Sequence, residues 1–334
     1  MGRMKLLSNV INNATNQVEG FCLVKSVQLK VNVKGAEYLD FVLADAEGEV
    51  NAKLWDYQPA AHGSYSSGEI IKVRGTINLY RDTEQLKIER IRKLKETDEV
   101  ELSSVVAEAP VNGEQLFKEL YDFADTFADD EIRSLTRYLL SANKARLERY
   151  PAAVRLHHAH KGGLMYHTHT MLSVAKKLVE VYSKLDPELS SDLVYAGVIL
   201  HDIAKTVELD VGPLGLASAY TVEGQLLGHI TLGVSMIRTA AIELGISESK
   251  AMLLEHILLS HHGVPEFGSP KPPMFPEAEI VSTVDTLDAK LFEMFDALSG
   301  VEIGAFTDRL WALDNRQLYR HGLGVVKADE DKKE

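Results

Sequence analysis

The chain has 334 residues, which is enough for two domains with a sizeable core. Its 45% hydrophobic and 25% charged residues are typical of a soluble globular protein, and no uninterrupted apolar stretch is long enough to span a bilayer. The net charge of -13 excludes a protein that coats nucleic acid through its overall charge, although a local basic surface remains open. Cys22 is the only cysteine, which excludes an intrachain disulfide and makes the reducing cytoplasm the expected location.

The first third of the chain has the pattern of a small β-barrel. Short β-type segments separated by turns cover residues 18–30, 38–44, 49–56, 69–80 and 85–94. In the third segment, Val50, Ala52 and Leu54 alternate with polar or larger side chains, which predicts one buried and one exposed face. Five strands within about 80 residues favour a Greek-key barrel of the OB type.

Basic and aromatic side chains accumulate on this predicted barrel. Those expected to bind nucleic acid are Lys53, Trp55, Lys72, Arg74, Tyr80, Arg81 and Lys87. Cations attract phosphates and aromatic rings stack on bases, so such a surface suits single-stranded nucleic acid. The alternative is an ordinary solvated charged face with the aromatic rings in the core.

A change of composition after the barrel indicates the domain boundaries. The predicted divisions are an OB domain at 1–98, a linker at 99–112, a helical domain at 113–320 and a charged tail at 321–334. Apolar residues recur at helical spacing beyond residue 113, and Asp129-Asp130 is a predicted N-terminal cap of the second helix. The last predicted helix, 277–298, is expected to bury Ile280, Val284, Leu287 and Leu291.

The most informative stretch is an apolar run, residues 193–200, followed directly by His201 and Asp202. The run predicts a buried helix, and an imidazole and a carboxylate buried at its end need a partner, which a metal ion would provide. On a continuous helix, Lys205 would share their face and lie where a phosphate could bind. Taken alone, the His-Asp pair could be a coincidence, with Lys205 in solvent.

More histidines and aspartates follow at apolar faces or ends of predicted helices. They include His167, His229, His261, His262, Asp285 and Asp288. Neutral imidazoles combined with carboxylates suit divalent ions such as Mn²⁺ or Fe²⁺, whereas structural zinc sites are richer in thiolates. The set is large enough for two ions bridged by Asp202.

The order His167, His201-Asp202, His229, His261-His262, Asp285 resembles the HD superfamily of metal-dependent phosphohydrolases. More specific blocks resemble the bacterial YhaM-type 3′-to-5′ exoribonucleases over roughly residues 15–315. These blocks are Glu19-Gly-Phe-Cys-Leu-Val-Lys, Ala52-Lys-Leu-Trp-Asp, His157-His-Ala-His-Lys-Gly-Gly-Leu, Leu259-Ser-His-His-Gly, Phe267-Gly-Ser-Pro and Val284-Asp-Thr-Leu-Asp-Ala-Lys. One departure is His160-Lys161, where the pattern favours an aromatic or apolar pair, and it affects only the shape of the pocket rim.

The resemblance implies an N-terminal OB domain followed by an all-helical HD domain with metal at its centre. It implies a first ion held by His167, His201, Asp202 and Asp285. It implies a second ion held by Asp202, His229, His261 and His262. The catalytic residues would be Asp202, which bridges the ions, and Lys205, which binds a phosphate oxygen. Around the pocket it implies His157, His158 and Asp288, the last as a residue that orients a ligand.

The function implied by the resemblance is a metal-dependent 3′-to-5′ exonuclease that hydrolyses single-stranded RNA, and also single-stranded DNA, to nucleoside monophosphates. The expected cofactor is a pair of divalent ions, Mn²⁺ first, with Fe²⁺, Co²⁺, Ni²⁺ or Mg²⁺ as alternatives. No membrane partner is expected, and a homo-oligomer remains open.

Two other functions also remain open. One is a phosphohydrolase of small nucleotides or cyclic dinucleotides, but such an enzyme does not need a basic, aromatic strand platform. The other is a nucleic-acid-binding protein with an inactive HD domain, against which the complete ligand set argues.

Overall fold

The N-terminal part of the chain is a closed β-barrel. The structure is a computed structural model that describes residues 4–80, 83–95, 97–106, 109–154, 158, 160–212, 214–265 and 268–323, with only the backbone at 218. The barrel strands are β1 Val10–Asn12, β2 Gln17–Val31, β3 Glu37–Ala44, β4 Glu49–Leu54, β5 Ile70–Tyr80 and β6 Thr83–Lys93. Two short helices accompany them, α1 Lys5–Ser8 and α2 Pro59–His62.

The strand order identifies the barrel as an OB fold. It is β1-β2-β3-β4-β6-β5, and an additional pairing of β2 with β5 closes the sheet. All neighbours are antiparallel except β4 and β6, which pair in parallel, as the Greek-key connection of an OB fold requires. The expected five strands are confirmed, and the short β1 is an addition that the sequence pattern did not indicate.

Alternation along the strands fills the barrel interior. Val50, Ala52 and Leu54 are 5%, 0% and 3% exposed, which confirms the predicted buried face of β4. The barrel also needs close contact where β5 and β6 shift register at Gly75. A Cβ at Gly75 would lie 2.2 Å from the carbonyl oxygen of Lys87, so only glycine fits there without backbone movement.

The rest of the described chain is mostly helical and shares one hydrophobic core. Its helices are α3 Gly113–Ala124, α4 Asp130–Leu147, α5 Gly163–Tyr182, α6 Ser191–Leu200, α7 Lys205–Glu208, α8 Val222–Leu244, α9 Glu248–Ser260 and α10 Pro276–Ser299. A hairpin, β7 Leu209–Val211 and β8 Ala217–Tyr220, lies between α7 and α8. Asp129 caps α4 by accepting backbone N–H bonds from Glu131 and Ile132, as predicted. The predicted fold class, an OB barrel followed by an all-α HD-type domain, is therefore confirmed.

Helix α6 is the buried helix that the sequence predicted. Gly197 lies in its centre, and a Cβ there would be 2.8 Å from a methyl group of Ile257, so α6 packs closely against α9. The helix ends at Leu200, and His201 and Asp202 follow as turn residues. The expectation that Lys205 continues the same helix is wrong, because α7 begins anew at Lys205.

Helix α10 turns a different face inward from the one expected. Val284 is fully buried, but Leu287 and Leu291 are 43% and 39% exposed. Asp285 and Asp288, each 9% exposed, take the inner positions. The burial predicted from the apolar pattern is wrong for these two leucines, because this helix faces a polar centre where carboxylates rather than leucines are required.

The barrel and the helical part contact each other through a small apolar cluster. Leu23 and Ile70 of the barrel pack with Val105, and Leu214 and Leu216 of the β7–β8 turn join them. The predicted linker therefore contributes a residue to this contact. Within the described ranges, the helices are all too short or too polar to cross a bilayer.

Candidate metal centre

Five helices and the turns at their ends bring metal-binding side chains to one place. They are His167 from α5, His201 and Asp202 after α6, His229 from α8, His261 and His262 after α9, and Asp285 from α10. His167, His201 and His261 are 0% exposed and Asp202 is 3% exposed. The predicted ligand residues are thus neighbours in space, although they span more than a third of the chain.

Two imidazoles and two carboxylates form the inner half of this centre. The Nε2 atom of His167 lies 3.2 Å from Oδ1 of Asp285, and Nε2 of His201 lies 3.2 Å from Oδ2 of Asp202. The crossed distances, from His167 to Asp202 and from His201 to Asp285, are both 4.0 Å. Four donor atoms so close together can hold a single divalent ion.

The other oxygen of Asp202 faces a second group of histidines. Its Oδ1 atom is 3.4 Å from Nε2 of His229 and 3.9 Å from Nε2 of His261. The ring of His262 lies beside both, with centroid distances of 4.1 Å to His261 and 5.2 Å to His229. The two oxygens of one carboxylate therefore belong to two different donor sets.

Several of these donor atoms are buried without a hydrogen bond to any part of the chain that the structure describes. They are Nε2 of His201, Oδ1 of Asp202, Nε2 of His229 and Nε2 of His261. Leaving a polar atom buried and unsatisfied costs about 1–3 kcal/mol. Since the atoms converge on common points, bound cations would satisfy them together, and the donor set fits divalent metal.

Hydrogen bonds to backbone carbonyl oxygens fix the orientation of two of the histidine rings. The Nδ1–H groups of His201 and His261 donate to the carbonyl oxygens of Val198 and Leu258 at 2.8 Å and 2.7 Å. A carbonyl can only accept, so each Nε2 atom keeps its lone pair directed inward, as a metal ligand must. Burial lowers the pKa of His261 well below its usual value and keeps that ring neutral.

Asp288 supports His167 in the same way. Its Oδ2 atom accepts hydrogen bonds from Nδ1 of His167 at 2.7 Å and Nε2 of His158 at 2.9 Å. These are the contacts of a residue that orients a ligand, whereas His158 is 1% exposed and packs behind the centre. His157, the other predicted pocket residue, lies outside the described residues.

The electrostatics of the centre favour a cation. Burial opposes the charged form of His167, yet hydrogen bonds to Asp285 and Asp288 raise the pKa of His167 to about 9. Burial likewise opposes ionisation of Asp202, but the positive charge of Lys205 holds the pKa of that carboxyl well below its usual range. The ionised carboxylates therefore leave negative charge that a divalent ion can neutralise.

Lys205 reaches the centre in spite of the break between α6 and α7. Its Nζ atom lies 2.7 Å from Oδ2 of Asp202, and the side chain lines a cavity of about 410 Å³ that opens beside the second histidine group. Burial would lower the pKa of Lys205, but Asp202 raises it, so the ammonium stays charged. The cavity is lined also by Glu208, His229, His262, Asp285 and several apolar side chains.

Glu208 is a functional residue that the sequence analysis missed. Its Oε1 atom accepts from the backbone N–H of His229 at 2.9 Å and from Nδ1 of the same residue at 3.0 Å. Gly228, with φ of +69°, breaks the helical path just before His229 and makes this double contact feasible. No periodicity marks Glu208, because its partner lies 21 residues away, across the β7–β8 hairpin.

The predicted nucleic-acid-binding residues divide into two groups on the barrel. Lys53 and Lys87 are neighbours on β4 and β6, and Lys53 lies over the rings of Tyr38 and Trp55 at 5.0 Å and 5.6 Å. Trp55 is half-buried, and its ring lies against that of Tyr38 with centroids 4.6 Å apart and planes tilted by 32°. The sequence analysis did not select Tyr38. Together, Tyr38, Lys53, Trp55 and Lys87 form what we call the aromatic face.

The second group is partly neutralised. Lys72 and Arg74 on β5 lie 2.9 Å and 3.8 Å from the carboxylate of Glu19 on β2, which reduces their attraction for phosphate. Tyr80 is 59% exposed at the end of β5, and Arg81 lies outside the described residues. Lys53 likewise lies 3.4 Å from a carboxylate oxygen of Asp40, so the aromatic face differs from the second group in having rings beside its lysines.

The contacts of Glu208 lead to a metal-binding prediction. Glu208→Gln should weaken divalent-ion uptake by about 10- to 100-fold, because the amide removes the charge behind His229 and disturbs its orientation. Mn²⁺ titration of the metal-free protein by calorimetry measures this change. The matched control is Glu223→Gln, in the exposed first turn of α8. Equal Mn²⁺ affinity in both variants would contradict the role of Glu208.

Comparisons with known proteins agree with this geometry. The family model described as HD domain matches residues 164–290. The 3′-5′ exoribonuclease YhaM of Geobacillus sp. (strain WCH70) is 43% identical over 304 residues, which cover 91% of this chain and 92% of that protein.

Two solved structures with low similarity also match. The second OB-fold domain of replication protein A from Methanococcus maripaludis has a TM-score of 0.20 and 16% identity, and covers 25% of this chain and 88% of that one. The single-stranded DNA binding protein from Thermus aquaticus has a TM-score of 0.22 and 13% identity, and covers 25% of this chain and 43% of that one. The family itself follows from the Geobacillus relative, whose 43% identity extends over nearly the whole of both chains. The chain belongs to the YhaM-type 3′-5′ exoribonuclease family.

Proposed function

We propose that the protein is a metal-dependent hydrolase that degrades single-stranded RNA from its 3′ end and releases nucleoside monophosphates. The observation that carries the proposal is Asp202, whose two oxygens face two sets of buried or half-buried histidines beside an open cavity. The Geobacillus relative is named a 3′-5′ exoribonuclease, and the OB barrel of this chain supplies a surface for the strand.

The donor sets support two divalent ions. We assign the first to His167, His201, Asp202 and Asp285, and the second to Asp202, His229, His261 and His262. Mn²⁺ is the favoured ion because the donors mix imidazole with carboxylate, and Fe²⁺, Co²⁺, Ni²⁺ and Mg²⁺ are the alternatives. Divalent ions held there would supply charge stabilisation at the scissile phosphate and activate water for attack on phosphorus.

The chain's own residues position the substrate around these ions. The Lys205 ammonium, which lies at the cavity wall, is placed to hold a phosphate oxygen while its pairing with Asp202 keeps it charged. A cavity of about 410 Å³ is within the range of roughly 300–1,000 Å³ for small-molecule sites. It suits one terminal nucleotide better than a duplex, which favours an exonuclease over an endonuclease.

The aromatic face of the barrel is proposed to bind the body of the strand. Tyr38 and Trp55 offer rings for stacking, and Lys53 and Lys87 offer charges for phosphates. Neither kind of contact needs a 2′-hydroxyl, so we include single-stranded DNA as a second substrate. The lone Cys22, which is buried, is compatible with the cytoplasm that we propose as the location.

The direction of degradation is the first test of this function. RNA labelled at its 5′ end should shorten stepwise from the 3′ side in the presence of Mn²⁺, with nucleoside monophosphates as product. The same RNA with a blocked 3′ end should stay intact on a denaturing gel. Internal cuts in a circular RNA would identify an endonuclease and refute the proposal, and turnover of cyclic dinucleotides alone would favour a small-nucleotide phosphohydrolase.

Asp202 provides a test of the bridged centre. Asp202→Asn keeps the shape of the side chain but removes its charge, and should abolish RNA hydrolysis and reduce the Mn²⁺ bound per chain. Elemental analysis of the purified protein measures the metal content. The control is Asp122→Asn on the exposed side of α3. Undiminished metal content and activity in Asp202→Asn would exclude a bridging role.

The aromatic face predicts a defined salt dependence. Binding of single-stranded RNA should weaken as salt rises, and replacing both Lys53 and Lys87 by Ala should reduce the log–log slope by about 0.7 per lysine. Fluorescence anisotropy at several salt concentrations gives this slope. Replacing Lys118 and Lys177, which are exposed on α3 and α5, should leave it unchanged. An identical slope in both double variants would show that the face does not contact phosphates.

A further inference from the structure

The β7–β8 hairpin separates two cavities. Strand β8 begins at Ala217, which lines a cavity of about 340 Å³ against the barrel residues Leu23, Lys25 and Ser67. It ends at Tyr220, which lines the cavity of about 410 Å³ beside Lys205 and His229, called the metal cavity below. The segment at 152–154 also contributes to both cavities: Ala153 lines the metal cavity, and Val154 lines the cavity against the barrel. Strand β8 and the segment at 152–154 thus lie between the two cavities.

The backbone of Tyr220 is anchored firmly. It pairs with Leu209, which is 3% exposed. The next residue, Thr221, caps helix α8, because its Oγ1 accepts from the backbone N–H of Gly224 at 2.9 Å. Its own N–H donates to the carbonyl oxygen of Glu208 at 2.9 Å, and its Oγ1 donates to that of Val207 at 2.8 Å. Tyr220 is therefore held by the same segment that supports the metal ligand His229.

The side chain of Tyr220 is less enclosed than its backbone. It is 48% exposed, whereas Leu209 beside it and Leu313 across the cavity are 3% and 1% exposed. An aromatic ring on a rigid backbone loses little conformational freedom when another flat group covers it. Every nucleobase has such a face, and stacking on a ring contributes binding whatever the base.

We propose that Tyr220 stacks on the base of the 3′-terminal nucleotide and so positions its phosphodiester beside Lys205 and the metal ligands. This inference rests on the proposed exonuclease function and adds a subsite for the nucleobase to it. Because stacking tolerates every base, the subsite selects for the presence of a base and for a chain end, not for sequence.

The experiment compares two RNAs that differ only at the 3′ end, one with a normal terminal nucleotide and one with an abasic terminal nucleotide. Wild-type protein should cleave the normal end with about tenfold higher kcat/KM, since one stacked base contributes roughly that factor. Tyr220→Leu should lose this preference by slowing on the normal end alone. Tyr220→Trp should retain it, because the larger ring still stacks.

Two controls separate stacking from damage to the site. Cleavage of the RNA with the abasic end, which offers no terminal ring for stacking, should proceed at equal rates in wild type and Tyr220→Leu. Tyr182→Leu removes a tyrosine of the same 48% exposure at the end of α5, remote from the cavity, and should behave as wild type. A Tyr220→Leu variant that keeps the preference for the normal end, or slows equally on the abasic end, would overturn the inference.

Failure of the proposed function would look different. Wild-type protein would then leave both RNAs intact, and the subsite would be tested by binding of adenosine monophosphate against ribose 5-phosphate. Tighter binding of the nucleotide to wild type, lost in Tyr220→Leu and kept in Tyr220→Trp, would support the subsite without the exonuclease. Equal binding of both ligands to wild type would refute it.

Discussion

The carboxylate of Asp202 is the interaction on which the helical part depends. One oxygen contacts His201 and Lys205, and the other faces His229 and His261. A single buried charge in this position demands several positive or metal-bound neighbours, and those neighbours come from separate helices. The helices are thus held in mutual register by a polar centre that a purely apolar core would not specify.

Hydrogen bonds from the surrounding chain fix the orientation of the histidine rings in this centre. Backbone carbonyls fix His201 and His261, while the carboxylates of Asp288 and Glu208 fix His167 and His229. Each support comes from a helix end or a helix face that is itself packed in the core, so the donor atoms are preorganised. On its inner side the donor atoms are fixed by these contacts, and the cavity lined by Lys205, His229 and His262 gives access to the centre.

Much of the fold could be predicted from the sequence, because alternation and helical spacing are local. The barrel strands and the buried α6 follow from such patterns, whereas the assignment of the ligand residues came from the resemblance to the HD superfamily. Contacts between residues far apart in the chain could not be found: Glu208 contacts His229 across the hairpin, and the ring of Tyr38 lies 4.6 Å from that of Trp55. The prediction that Leu287 and Leu291 are buried is wrong because α10 buries Asp285 and Asp288 in their place.

The short length of β8 has a consequence for how strands of different length are bound. Its ends, Ala217 and Tyr220, are three residue steps apart, so at roughly 3.3 Å per step only about 10 Å separate the residue at the barrel-side cavity from the residue at the metal cavity. RNA held as proposed contacts both the barrel and the metal cavity only while it is long enough to reach both. Long strands would therefore be held by more contacts than short remnants.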